Sequence, residues 1–191
     1  MKYPVLKLND RGTDMGDFID FWSRFYRYSE IEALYDERIW KPVFDKKDIE
    51  KLFQWKNGML INGHVKKQAS VDKVIARLDN LNALKANFDL NAFKDLFFDI
   101  SAIWQLFILH IIWPDLYPIF DQHVYRAQLF METGVIGEIR ESNTFKLEHF
   151  YKYYLPFYAK FERELGAFRK LDMALWTFGK FLKTPYAKLI V

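Results

Sequence analysis

Cysteine is absent from this 191-residue chain, which excludes disulfides, thiol nucleophiles and thiolate metal sites together. Histidine is scarce. His64, His110, His123 and His149 are the whole set, and none stands at the spacing of a His-Glu-x-x-His or His-x-x-x-His motif. No metal and no cofactor are therefore expected. Glycine and proline are also thin, at 8 and 6 residues, and no linker, repeat or low-complexity tract interrupts the chain. The expectation is one helical domain over residues 1–191, or two helical lobes with a cleft between them. The longest apolar run, Ala102–Trp113, is broken by Gln105 and His110. It falls short of the roughly 20 apolar residues that a membrane span needs. Met1–Lys7 has no apolar core of signal-peptide length. A cytoplasmic protein without a membrane partner follows as the expectation.

Aromatic residues are abundant. With 19 Phe, 11 Tyr and 6 Trp in a chain that is 51% hydrophobic, a sizeable core can form without staples. The net charge of +3 is unevenly spread. From Arg140 onward ten Lys and Arg stand against five Asp and Glu, an excess of +5, while residues 1–139 carry −2. Such a basic C-terminal quarter is compatible with phosphate contacts, and equally with a solvated helix face.

Periodicity predicts an all-α fold, a compact multi-helix globular domain. Asp14 caps a helix through Phe18, Phe21, Trp22, Phe25 and Tyr26. Asp45 caps Lys46–Lys56, with Gly58 as its stop, and Ser70 is read as opening Val71–Ala86. Asp89 starts a short helix carrying Phe93 and Phe97. Ser101–Trp113, apolar on nearly all sides, reads as a helix enclosed by others. Pro114 and Pro118 enforce an extended connection, and Asp121 caps Gln122–Thr133, ended by Gly134. A turn-rich stretch follows, with Val135–Arg140 as a short extended piece. Two helices close the chain, near Lys146–Leu165 (divided or kinked at Pro156) and Ala167–Leu182. Trp104 and Trp176 are read as core residues.

Asp121 is the chemically distinctive position. A carboxylate there accepts hydrogen bonds from the free N–H groups of the first helical turn, which is a structural role. The same placement presents a fixed carboxylate to a cleft. His123 and Arg126, three residues apart on one face, lie beside it to orient a ligand or a water. The alternatives for these two are a surface residue and a salt bridge.

The stretch Tyr117-Pro118-Ile119-Phe120-Asp121-Gln122-His123-Val124-Tyr125-Arg126 resembles a segment of the helix-hairpin-helix DNA glycosylase superfamily, which reads roughly Pro-Val-Asp-Thr-His-Val-x-Arg. The resemblance implies an all-helical fold and a flipped base. It also implies Asp121 as the catalytic carboxylate, with His123, Val124 and Arg126 matching the rest of the segment. Where that family carries a Gly-rich, phosphate-binding hairpin, this chain reads Asp99-Ile100-Ser101-Ala102-Ile103-Trp104-Gln105. The lysine of lyase members falls near Ile103, so the implied enzyme is a monofunctional N-glycosyl hydrolase without lyase activity, or a degenerate member. Trp55-Lys56-Asn57-Gly58 and Arg169-Lys170-Leu171-Asp172-Met173-Ala174-Leu175-Trp176 are similar to segments of divergent bacterial 8-oxoguanine glycosylase-like proteins.

By its own chemistry Trp55-Lys56-Asn57-Gly58 reads first as a helix end, with Gly58 as a left-handed stop and Trp55 packed inward; the alternative places Lys56 and Asn57 at a cleft rim. The helix spanning 148–165 carries Phe150, Tyr151, Tyr153, Tyr154, Phe157, Tyr158 and Phe161, rings on more than one face. Such a helix packs on two sides or makes a homo-oligomer contact; the alternative is base stacking among Lys152, Lys160 and Arg163. The readings that follow are a DNA-binding, glycosylase-like protein, a non-catalytic helical interaction module, and a small-molecule enzyme using Asp121 with His123.

Overall fold

The structure is a computed structural model that describes residues 14–27, 29–58, 65–165 and 168–189; Met1–Lys7, His64 and the side chains of Phe161 and Arg163 lie outside the described residues. Among these the regular elements are helical throughout: α1 (Met15–Ser23), α2 (Ser29–Asp36), α3 (Lys46–Asn57), α4 (Val65–Ile75), α5 (Leu78–Ala86), α6 (Leu90–Phe97), α7 (Ala102–Ile112), α8 (Gln122–Thr133), α9 (Asn143–His149), α10 (Leu155–Leu165) and α11 (Phe168–Phe181). A π turn, Phe150–Tyr154, joins α9 to α10, and a 3₁₀ turn, Pro185–Leu189, follows α11. No helix among the described residues is long and apolar enough to cross a membrane.

Most boundaries follow from local chemistry. Asp45 and Asp48 close a reciprocal capping box at the start of α3, and Gly58 ends the helix at φ 74°. Asp121 opens α8 and Gly134 ends it at φ 71°. Asp14 and Asp89 cap α1 and α6 as expected, but α1 ends at Ser23, so Phe25 and Tyr26 lie beyond the helix. Ser70 does not open a helix: it lies inside α4, which starts at Val65, and the chain breaks at Ala76–Arg77 before α5. The buried stripe Val71, Val74, Leu81, Leu84 nevertheless runs across both. Val135–Arg140 forms no strand.

Pro156 acts one turn earlier than its own position. Leu155 N–H bonds Phe150 O, an i→i−5 pattern, so the backbone widens just before the proline, which has no N–H to continue an α ladder. The turn places Phe150 and Tyr154 in the core and leaves Tyr153 half exposed. Phe157 and Tyr158 are buried as well. Most rings of the 148–165 segment are thus core contacts.

The apolar helix α7 forms the centre, with Leu106, Phe107, Ile108, Leu109, Ile111 and Ile112 all buried. His110 is buried among them. Its Nδ1–H donates to the Tyr117 carbonyl at 2.7 Å, and its Nε2 lies 2.7 Å from the Tyr35 hydroxyl. Burial drives its pKa down to about 3. An unfolded histidine, near 6.5, takes up a proton that the folded one refuses. The stability contributed is therefore full above pH 6.5 and drains as pH falls toward 3. The urea midpoint is expected to fall between pH 6.5 and 4, and His110→Gln to flatten that slope; an unchanged slope in the variant counts against the assignment.

Candidate functional site

Helices α8 and α11 pack closely, and α11 also packs on α1. The α8–α11 crossing is a backbone contact: a Cβ on Gly179 would sit 1.8 Å from the His123 carbonyl oxygen. Beside this crossing, the N-terminus of α8 faces the C-terminus of α3. Asp121 Oδ1 accepts from the N–H groups of His123 (2.8 Å) and Val124 (3.2 Å), and Oδ2 lies 3.2 Å from Lys56 Nζ. Lys56 also reaches the Phe120 carbonyl at 3.4 Å, and its side chain is only 8% exposed. Burial pushes the Asp121 carboxyl up, but Lys56, His123 and the two backbone N–H groups outweigh it and hold the group below its ordinary value. Asp121 is thus an ionised carboxylate at a helix N-terminus, with its side chain 19% exposed.

Two spaces meet at this pair. An inner slot of about 40 Å³ is lined by Tyr26, Trp55, Ile119, Val124, Arg169 and Asp172. An outer cleft of about 420 Å³ is lined by Asn57, Lys67, Ile103, Trp104, His123 and Lys146, among others. Lys56, Asp121 and Trp176 border both. The outer volume lies in the range of small-ligand sites; the slot has room for on the order of three waters.

Asp172 lies in the Arg169–Trp176 segment and lines the inner slot. It is buried, and its Oδ1 has no hydrogen-bond partner. Burial raises its pKa to about 7; Arg169, Lys56 and the Tyr158 hydroxyl oppose the shift, and the negative charge of Asp121 adds to it. The unfolded carboxyl, near 3.8, has already lost its proton where the folded one still holds it. Its stability contribution is therefore full below pH 3.8 and is lost as pH rises through 7. Asp172 is a carboxyl group whose ionised form is kept in place at a thermodynamic cost.

Arg169 stands between the slot and α2. Its guanidinium pairs with Glu32 and lies 5.0–5.2 Å from the ring centroids of Tyr26, Tyr35 and Trp55. That arrangement fixes one side of the slot by cation–π contact and charge pairing.

The other sequence candidates fall in different places. His123 lines the outer cleft, 5.3 Å from Trp176 ring to ring, and burial lowers its pKa against the pull of Asp121. Lys56 sits within the site, not only at its rim, and Asn57 accepts from Lys67 at the cleft edge. Trp104 and Trp176 pack on the core yet line the cleft. Arg126 turns the other way: fully buried, it forks onto Glu138 at 2.6 and 2.7 Å and donates to the Gly179 carbonyl at 2.7 Å. It clamps α11 to α8 behind the site. Arg126→Met, which keeps the stem and removes the donors, is expected to cost about 1–3 kcal/mol by leaving the Gly179 carbonyl unsatisfied, read as a lowered urea midpoint. Lys152 and Lys160 are exposed and outside both spaces.

Between α6 and α7, Asp99 is held by Arg77 at 2.7 Å and Lys73 at 3.0 Å, which keep its carboxyl well below the usual carboxylate range. Neither Lys73 nor Arg77 is a free anion site there. Comparison of the chain with protein-family models, curated proteins and solved structures finds no match.

Proposed function

We propose that the chain is a DNA-glycosylase-type protein, a monofunctional N-glycosyl hydrolase in which Asp121 supports the cationic sugar as a base departs. The observation that supports this reading is the position of Asp121: held ionised at the start of α8, on the wall of a cleft that also presents the Trp104 and Trp176 rings. A carboxylate so fixed opposes positive charge developing at C1′, and indole faces offer a surface for a planar base. Lys67 and Lys146 at the cleft edge supply positive charge toward a phosphate backbone. Lys146 is partly engaged by Glu141, at 3.2 Å.

The test is base release by the full chain from duplexes each carrying one modified base, with binding measured across a salt series. Base release, and affinity that falls steeply with salt, are the expected results, with no borohydride-trapped adduct. Release from no duplex, or binding indifferent to salt, removes the reading; a trapped adduct converts it to a lyase centred on Lys56. A second reading, a non-catalytic interaction module, draws on one feature: an apolar groove of about 450 Å³ between α1 and α11, where Phe21 and Phe25 are half exposed. Retention of DNA-independent protein association by Asp121→Asn would favour it.

A further inference from the structure

We propose that Asp172 is the second catalytic carboxyl of this site, the acid that delivers a proton to a departing neutral base. This rests on the glycosidase reading of Asp121 and names the class of leaving group: bases that carry no positive charge of their own and so must be protonated to leave.

The geometry carries it. Asp121 and Asp172 line the same slot, which shares Lys56, Asp121 and Trp176 as bordering residues with the outer cleft. They arrive from different elements, the N-cap of α8 and the second turn of α11, so the slot is the place where two otherwise unrelated carboxyl groups converge. One oxygen of Asp172 has no hydrogen-bond partner although the residue is buried. A buried polar atom without a partner is costly unless a ligand or water completes it. The groups that act on Asp172 are Arg169 on its own helix, Lys56 from α3, Asp121 from α8 and the Tyr158 hydroxyl from α10. Tyr35 of α2 and Tyr154 of the π turn also feel its charge. Two positive and one negative neighbours leave burial as the dominant influence, and the carboxyl is neutral up to about pH 7. The two carboxyls are therefore held in opposite states, one ionised and one protonated, which is the division of labour that acid-assisted bond cleavage needs.

A base seated in the outer cleft turns a ring nitrogen toward the slot. Asp172 passes its proton to one water in the slot, which passes one on to that nitrogen. The C1′–N bond breaks, and its electron pair stays with the base nitrogen. The Asp121 carboxylate faces the resulting sugar cation. A second water adds to C1′, and the proton it loses returns through the slot to Asp172. The net change is addition of H and OH across the C1′–N bond, with no oxidant or further reactant.

The experiment measures single-turnover base release by the full chain and by Asp172→Asn, from pH 5 to 9. The duplexes carry one 8-oxoguanine, hypoxanthine or uracil, or one 7-methylguanine, whose positive charge lets it leave unprotonated. For the neutral bases the unaltered chain is expected to slow tenfold per pH unit above about pH 7. Asp172→Asn is expected to be at least about 100-fold slower and without that limb, yet within about threefold on 7-methylguanine. The variant's thermal midpoint at pH 8 is expected to equal or exceed that of the unaltered chain. Equal loss on charged and neutral bases, or a retained limb, overturns the proposal while leaving Asp121 in place. Release from no duplex by the unaltered chain overturns the Asp121 reading and this one with it.

Discussion

Asp121→Asn is expected to lower base release by about 100- to 1000-fold, the usual loss when a fixed electrostatic partner of a transition state is removed. The substitution is nearly silent for the helix, since Asn caps as well as Asp, and its carbonyl oxygen can still accept from His123 and Val124 N–H. The felt loss is at Lys56, whose buried ammonium keeps, among the described residues, only the Phe120 carbonyl at 3.4 Å. A stability cost of about 1–3 kcal/mol follows. Combining Asp121→Asn with Lys56→Met should recover that stability without recovering activity. Restored activity in the double variant, or full activity in the single one, would show that Asp121 serves only as a cap.

Gly179→Ala is expected to be strongly damaging. The new methyl would meet the His123 carbonyl oxygen at 1.8 Å and its carbon at 2.5 Å, and both are backbone atoms that no rotamer change can move. Overpacking costs about 1–3 kcal/mol where side chains can yield; here the upper end is the floor. At this chain length about 3 kcal/mol corresponds to a thermal midpoint lowered by roughly 6–12 °C. The strain is relieved only by moving α11 off α8, which carries Asp172 and Trp176 away from Asp121. Activity should therefore fall even well below the melting transition. A variant with an unchanged midpoint would mean that the two helices do not meet in this way.

How much of this was legible beforehand depends on the range of the interaction. Helix ends set by a side chain or a glycine within one turn were readable: Asp45 with Gly58, and Asp121 with Gly134. Ser70 misled because the turn before it, Val65–Ala69, has no apolar stripe of its own and becomes helical by continuity with Val71 and Val74. The widened turn before Pro156 was legible only as an interruption, since the i→i−5 bond it uses has no residue signature. Of the candidate site, the N-cap role of Asp121 was readable from its position. Its pairing with Lys56, 65 positions away, was not. Arg126 looked like a ligand-facing neighbour by helical spacing, yet its partner is the carbonyl of Gly179, on a helix that the spacing says nothing about. Asp172 carried one usable signal: it falls beside Leu171 and Leu175 on the inward stripe of α11, where a charged residue is rarely placed without reason. That reason lies on α8, α3 and α10.

The meeting of α3 and α8 at Lys56 and Asp121 has a consequence for the field inside the slot. Asp121 stands where the peptide dipoles of α8 present their positive end, and Lys56 stands in the last turn of α3, at the negative end of that helix. Each side chain thus carries the sign that its own helix terminus favours, and the two opposite termini are brought face to face. The charges are oriented by chain folding before any ligand arrives. Water in such a place would have to reorient each time charge developed on a substrate; these two dipoles and their counter-charges have nothing left to reorient.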